Sequence, residues 1–124
     1  MAEPSKLFNF DFSDDGEALR IAVARAKFDV SCASQFRTEI DKQWNERIHR
    51  VSLDFTNVEF IDSSGIGALV SLQKRLDPSV SPLELLNPSP AVTTVVELLR
   101  LHRVFKLTHM EPPAGRAADR LPAS

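Results

Sequence analysis

The sequence predicts an α/β domain built on a mixed, mostly parallel sheet with helices packed against it. Three observations predict it: two alternating apolar runs near the N-terminus, three later stretches whose apolar residues recur at helical spacing, and short apolar strands between those stretches. The chain has 124 residues, which is one domain by length and enough to bury a core without metal or disulfide support.

Leu7 to Phe12 alternates, with Phe8, Phe10 and Phe12 on one face, so it reads as a half-buried strand. Ser13-Asp14-Asp15-Gly16 is turn chemistry, because Asp and Ser bond their own backbone and Gly tolerates positive φ. Leu19, Ile21 and Val23 then share a face, and the two runs form an antiparallel hairpin. From Ser31, a reasonable N-cap, the period changes: Ala33, Phe36, Ile40 and Trp44 mark a helix of about fourteen residues. A helix of that length between strands serves as a right-handed crossover, so the next strand, near Val51 to Phe55, lies parallel to the second.

Val51 to Leu69 carries that strand through a loop into a second helix at Asp62-Ser63-Ser64-Gly65. Ile66, Leu69, Leu72, Gln73 and Leu76 form its stripe, Lys74 and Arg75 complement the dipole in its last turn, and Asp77-Pro78 ends it. Pro82 to Leu86 is a short strand. Ser89 caps a third helix with Pro90 at its first position and Val92, Val95, Val96 and Leu99 as its apolar stripe. Val104 to Leu107 adds an edge strand. Residues 1–6 read as a flexible start, 7–110 as the domain, and 111–124, rich in Pro, Ala and charge, as a flexible tail with too little apolar surface to offset the entropy of ordering it.

Composition excludes several function classes. A net charge of −2 with scattered Lys and Arg argues against direct nucleic-acid binding. No apolar run approaches the roughly 20 residues of a membrane span, and the first residues lack a signal-like basic and apolar start, so a cytoplasmic protein without membrane insertion is expected. Cys32 is the single cysteine, which rules out an internal disulfide or thiolate cluster and reads as a buried structural residue. Ser63 and Ser64 lack the upstream glycine of a nucleophile elbow, and His49, His102 and His109 belong to no motif and read as surface residues. Phosphate-loop and metal-ligand spacings are absent, so no enzyme, metal or cofactor is expected.

The junction itself is a strand end meeting a helix start, where unpaired N–H groups favour an anionic group. Asp62 or Ser63 can simply cap the helix, and Gly65 and Gly67 can allow close packing. Two adjacent hydroxyls after an acidic residue in an exposed loop also suit a phosphorylatable serine.

The run LDFTNVEFIDSSGIGAL resembles the signature of the STAS domain family, in particular the bacterial anti-sigma factor antagonists. Asn87-Pro88-Ser89-Pro90-Ala91-Val92 is similar to the family's entry into its third major helix, Leu101-His102-Arg103-Val104-Phe105 resembles its closing element, and Phe28-Asp29 precedes the first helix, so the match spans roughly residues 7 to 107. The resemblance implies a single STAS-like domain and an acceptor serine directly after the aspartate, which is Ser63. It implies a partner that is both anti-sigma factor and serine kinase, with the histidine-kinase-like ATPase fold, and a PP2C-type phosphatase that resets the switch. Asp62, Ser63, Ser64, Gly65 and Ile66 become the expected partner-binding surface. A second reading is a STAS subunit of a membrane lipid-transport complex that uses this surface without phosphorylation; neighbouring genes for a kinase or phosphatase, or for a permease cassette, separate the two. The chain departs from the family at Ala26-Lys27, at Pro78-Ser79-Val80-Ser81 and at Arg100, where glycines are common, which bears on loop shape and partner identity.

Overall fold

A computed structural model describes residues 7–77 and 79–110; the expectations for residues 1–6, Pro78 and 111–124 lie outside the described residues. Strands β1 (Phe8–Phe12) and β2 (Ala18–Val23) form the predicted hairpin. Its turn closes with Ser13 N–H donating to the Ala18 carbonyl, and Gly16 supplies the φ of 76° the turn requires. A two-residue strand β3 (Lys27–Phe28) leads into α1 (Val30–Gln43), then β4 (Arg50–Asp54), a two-residue β5 (Phe60–Ile61), α2 (Ser63–Gln73), β6 (Glu84–Leu86), α3 (Pro90–Leu98), one 3-10 turn (Leu101–Arg103) and β7 (Lys106–Thr108).

The main sheet has the order β1-β2-β4-β6-β7, antiparallel at β1/β2 and parallel elsewhere, so the mixed, mostly parallel expectation holds. Strand alternation sorts its two faces. Leu19, Ile21, Val23, Val51, Leu53 and Leu85 are buried on one. On the other, register places Asp11, Arg20, Ser52, Glu84 and Lys106 in a single row across all five strands. The core joins the buried face to α1 through edge-on aromatic contacts, Phe28 and Phe36 ring centres being 5.0 Å apart and Phe8 and Phe36 5.1 Å apart, while α2 adds the aliphatic Ile66, Leu69 and Leu72. Cys32 is buried among these residues, as expected, and burial pushes its thiol pKa up.

Several boundaries differ from the sequence expectation. The N-cap of α1 is Asp29, not Ser31; the Asp29 carboxylate accepts both the backbone N–H and the hydroxyl of Ser31, a stronger arrangement than a hydroxyl cap two residues later. Trp44 falls just after α1, half-buried, with the Arg75 guanidinium 5.3 Å over its ring. Helix α2 ends at Gln73, so Lys74 and Arg75 lie beyond its last turn, and Arg75 pairs with Asp41 instead of completing the dipole. The buried Gln73 side chain accepts the Leu83 N–H at 2.7 Å, which ties the end of α2 to the approach of β6. Ser89 and Pro90 begin α3 as expected, but Leu99 is exposed and Val95 only half-buried, because α3 buries a narrow stripe of Val92 and Val96. The edge strand is Lys106–Thr108 rather than Val104 to Leu107, because the Val104 and Phe105 N–H groups both donate to the Leu101 carbonyl and close the 3-10 turn before the strand begins.

Candidate functional site

The second, two-stranded ladder builds the site. Lys27 and Phe28 pair in parallel with Phe60 and Ile61, and the Ala26 carbonyl accepts the N–H groups of Glu59 and Phe60 at 2.7 and 3.1 Å. Each short strand ends in an aspartate that starts a helix: Asp29 before α1 and Asp62 before α2. The ladder therefore sets two helix N-termini side by side, an arrangement no local pattern announces.

Asp62 joins them. One carboxylate oxygen accepts the Gly65 N–H at 2.9 Å, capping α2, and the other accepts the Val30 N–H at 3.2 Å, in the first turn of α1. Both oxygens thus serve as caps, a favourable place for negative charge at two helix dipoles at once. Asp29 caps α1 from the other side. The Ser31 hydroxyl bond and backbone N–H, with the Arg25 guanidinium 3.7 Å away, hold its carboxyl below the usual carboxylate range against some desolvation.

Burial grades sharply along the four residues that follow. Ser63 is exposed, Ser64 is half-buried, and Gly65 and Ile66 are buried. Neither serine hydroxyl has a hydrogen-bond partner among the described residues. Gly65 is buried for a steric reason: a Cβ there would lie 2.1 Å from the Phe28 carbonyl oxygen and 2.9 Å from Ile61. Helix α2 approaches β3 this closely only because residue 65 has no side chain.

Two grooves flank the serines. On one side Ile61, Ile66, Val95, Leu98 and Leu99 line an apolar hollow of about 220 Å³ with Asp62 and Ser63 at its rim. Leu98 is 76% and Leu99 53% exposed, a concentration of apolar surface larger than folding needs. On the other side Val30, Ala33, Ser34, Arg37 and Ser64 line a more polar hollow of about 300 Å³, and Arg37 Nη2 would touch a Cβ added at Gly67, at 3.3 Å. No sequence motif marks Leu98, or Arg37 on the water-facing side of α1, as part of a site. The adjacent pair Leu98-Leu99 was the available signal, since a helix of nine residues cannot turn both toward one narrow core stripe.

Chemically the site offers an accessible hydroxyl with a carboxylate neighbour already committed to backbone N–H groups. His49, His102 and His109 are all exposed, on other segments. Among the described residues no cluster of three metal-ligating side chains occurs, and no helix is long and apolar enough to cross a membrane.

A family model described as STAS domain matches residues 17–113. A STAS-domain containing protein of Pseudomonas aeruginosa (strain UCBPP-PA14) is 27% identical over 100 residues, covering 77% of this chain and 93% of that protein. The fold is similar to that of the anti-sigma factor antagonist SpoIIAA in its unphosphorylated form, with a TM-score of 0.62 at 22% identity over 94% of this chain and 99% of that one. It is equally similar to the Bacillus cell fate determinant SpoIIAA in the phosphorylated form, with a TM-score of 0.62 at 23% identity over 92% and 98% of the two chains.

Proposed function

This chain belongs to the STAS domain family, and we propose that within it the protein is an anti-sigma factor antagonist that switches partners through phosphorylation of Ser63. The observation that carries the reading is the exposure of Ser63 at the first position of α2, its hydroxyl without a hydrogen-bond partner among the described residues and beside an aspartate whose two oxygens are both used as caps. A solved relative of the same fold is described in both unphosphorylated and phosphorylated forms, which supports the same chemistry here.

In this reading the unmodified surface binds an anti-sigma factor that is also a serine kinase of the histidine-kinase-like ATPase fold. The apolar hollow of Ile61, Ile66, Leu98 and Leu99 supplies the contact area, and Gly65 lets α2 present Ser63 at its rim. Asp62, Ser63 and Ser64 form the polar part of the surface. With Asp62 committed to capping, the base that deprotonates Ser63 comes from the kinase. Phosphorylation adds about −1.5 to −2 charges. Desolvating that charge beside Asp62 in an interface shaped for a hydroxyl, at about 3 kcal/mol, weakens binding roughly a hundredfold. The partner then lets go until a PP2C-type phosphatase removes the phosphate. The protein itself has no catalytic role in this scheme. It works in the cytoplasm, with residues 7–110 as the switching domain.

Incubation with the cognate kinase and ATP, read by mass spectrometry, is expected to place one phosphate on Ser63 and none on Ser63→Ala. Ser63→Ala is expected to keep kinase binding, and Ser63→Asp to lose about a hundredfold. Full modification of Ser63→Ala, or equal affinity for the two variants, overturns the reading.

A further inference from the structure

We propose that the outer edge of β1 is a homodimer interface, in which a second copy of this chain adds its own β1 in antiparallel register and makes one continuous sheet across a two-fold axis. The main sheet has two edges, and they are built differently. Strand β7 is three residues long and carries the exposed Lys106, two devices that discourage pairing. Strand β1 is five residues long, FNFDF, with no Lys or Pro, and its register with β2 runs unbroken from Phe8↔Val23 to Phe12↔Leu19, so no bulge turns it away.

The hydrogen-bond phase shows which groups face outward. The Ala24 N–H donates to the Leu7 carbonyl and the Ser13 N–H to the Ala18 carbonyl, so Leu7, Asn9, Asp11 and Ser13 direct their backbone groups toward β2. Phe8, Phe10 and Phe12 therefore direct theirs away from the sheet, where they have no partner among the described residues. A groove of about 270 Å³ runs along this edge, floored by Leu7 to Phe10 and walled by Gln35, Glu39 and Gln43 of α1. Phe12 stays 38% exposed on the same face as buried Phe8.

Centring the two-fold on Phe10 pairs Phe10 with Phe10, and Phe8 with Phe12 of the second copy. Three hydrogen-bonded pairs give about six backbone bonds. Charge selects this register. It sets the Asp11 carboxylate opposite the Asn9 amide, whereas a two-residue shift toward the turn sets Asp11 opposite Asp11, and a one-residue slip turns the phenylalanines to the wrong face. Phe12 of each copy then lies beside Phe8 of the other, in the groove, which covers the apolar surface that β1 leaves exposed. The sequence of the edge is thus complementary to itself, which singles out a second copy over an unrelated extended segment. None of Asp62, Ser63 and Ser64 lines this groove, so the dimer and the phosphorylation switch stand or fall separately.

Sedimentation velocity of the full chain between about 5 and 500 µM is expected to show a reversible monomer–dimer equilibrium, with Phe12→Lys weakening it at least about tenfold. Amide exchange on the unsubstituted protein supplies a measurement that does not depend on a variant. The Phe10 and Phe12 N–H groups are expected to exchange fast at low concentration and to become protected as dimer forms, while Asn9 and Asp11 are protected throughout. Phe10→Cys is expected to form a disulfide between copies, Cys32 being buried. A monomer at every concentration overturns the proposal. So does a dimer insensitive to Phe12→Lys whose Phe10 and Phe12 amides stay unprotected, and so does edge protection that appears only when another polypeptide is added.

Discussion

Asp62 and Val30, 32 positions apart in the chain, meet through a hydrogen bond of 3.2 Å from the Val30 N–H to the Asp62 carboxylate, whose other oxygen caps α2 at Gly65. One side chain thus serves the first turns of two helices. Asp62→Ala is expected to cost about 2 kcal/mol, at the upper end for a cap. Asp62→Asn keeps a single acceptor oxygen and is expected to lose about half of that. Urea unfolding of the three proteins measures both, and equal stability of Asp62→Asn and wild type contradicts the shared cap.

Gly65 is a steric requirement of the same junction. A methyl group there meets the Phe28 carbonyl oxygen at 2.1 Å, and backbone on both sides has to move. Gly65→Ala is expected to destabilise by at least about 3 kcal/mol. Gly67→Ala, which meets only the flexible end of Arg37, is expected to be neutral or slightly stabilising. Thermal unfolding distinguishes the two, and similar melting temperatures contradict the close approach of α2 to β3.

Arg100 adopts φ of 60° directly after the cap of α3, a left-handed conformation that favours glycine. Its backbone N–H donates to the Glu97 carbonyl at 2.9 Å, so the turn is held by main-chain bonds rather than by the arginine side chain. Arg100→Gly is expected to raise stability by about 0.5–1 kcal/mol, the relief of left-handed strain less the added freedom of the unfolded chain. A lowered denaturant midpoint contradicts this.

Acid sensitivity follows from Asp29. Its carboxyl is held below the usual range in the folded protein, chiefly by the Ser31 hydroxyl, as Asp15 is by Ser13 and Asp77 by Ser79. A depressed folded-state pKa contributes stability that is complete above the unfolded value and is lost as pH falls through the folded one. Unfolding midpoints are therefore expected to be level near neutrality and to fall from about pH 5 downward. Asp29→Asn still caps α1 but does not titrate, and its acid limb is expected to be shallower. An unchanged limb removes Asp29 from the account.

The sequence alone determined the parts of this protein whose causes are local. Alternation marked β1 and β2 and their hairpin, and Ser89-Pro90 marked the start of α3 to the residue. The run through Asp62-Ser63-Ser64-Gly65 placed a helix start where α2 begins, and the quoted segments pointed to the STAS family that the matched residues 17–113 establish. Tertiary structure alone decided the two-residue ladder of β3 and β5, the sharing of Asp62 with Val30, and the exposure of Leu98 and Leu99 beside Ser63. The physical reason is the same in each case. A periodic pattern states which face of an element is able to be buried, but whether it is buried depends on contacts such as Lys27 with Phe60, between residues more than thirty positions apart, whose pairing leaves no trace in either segment taken singly.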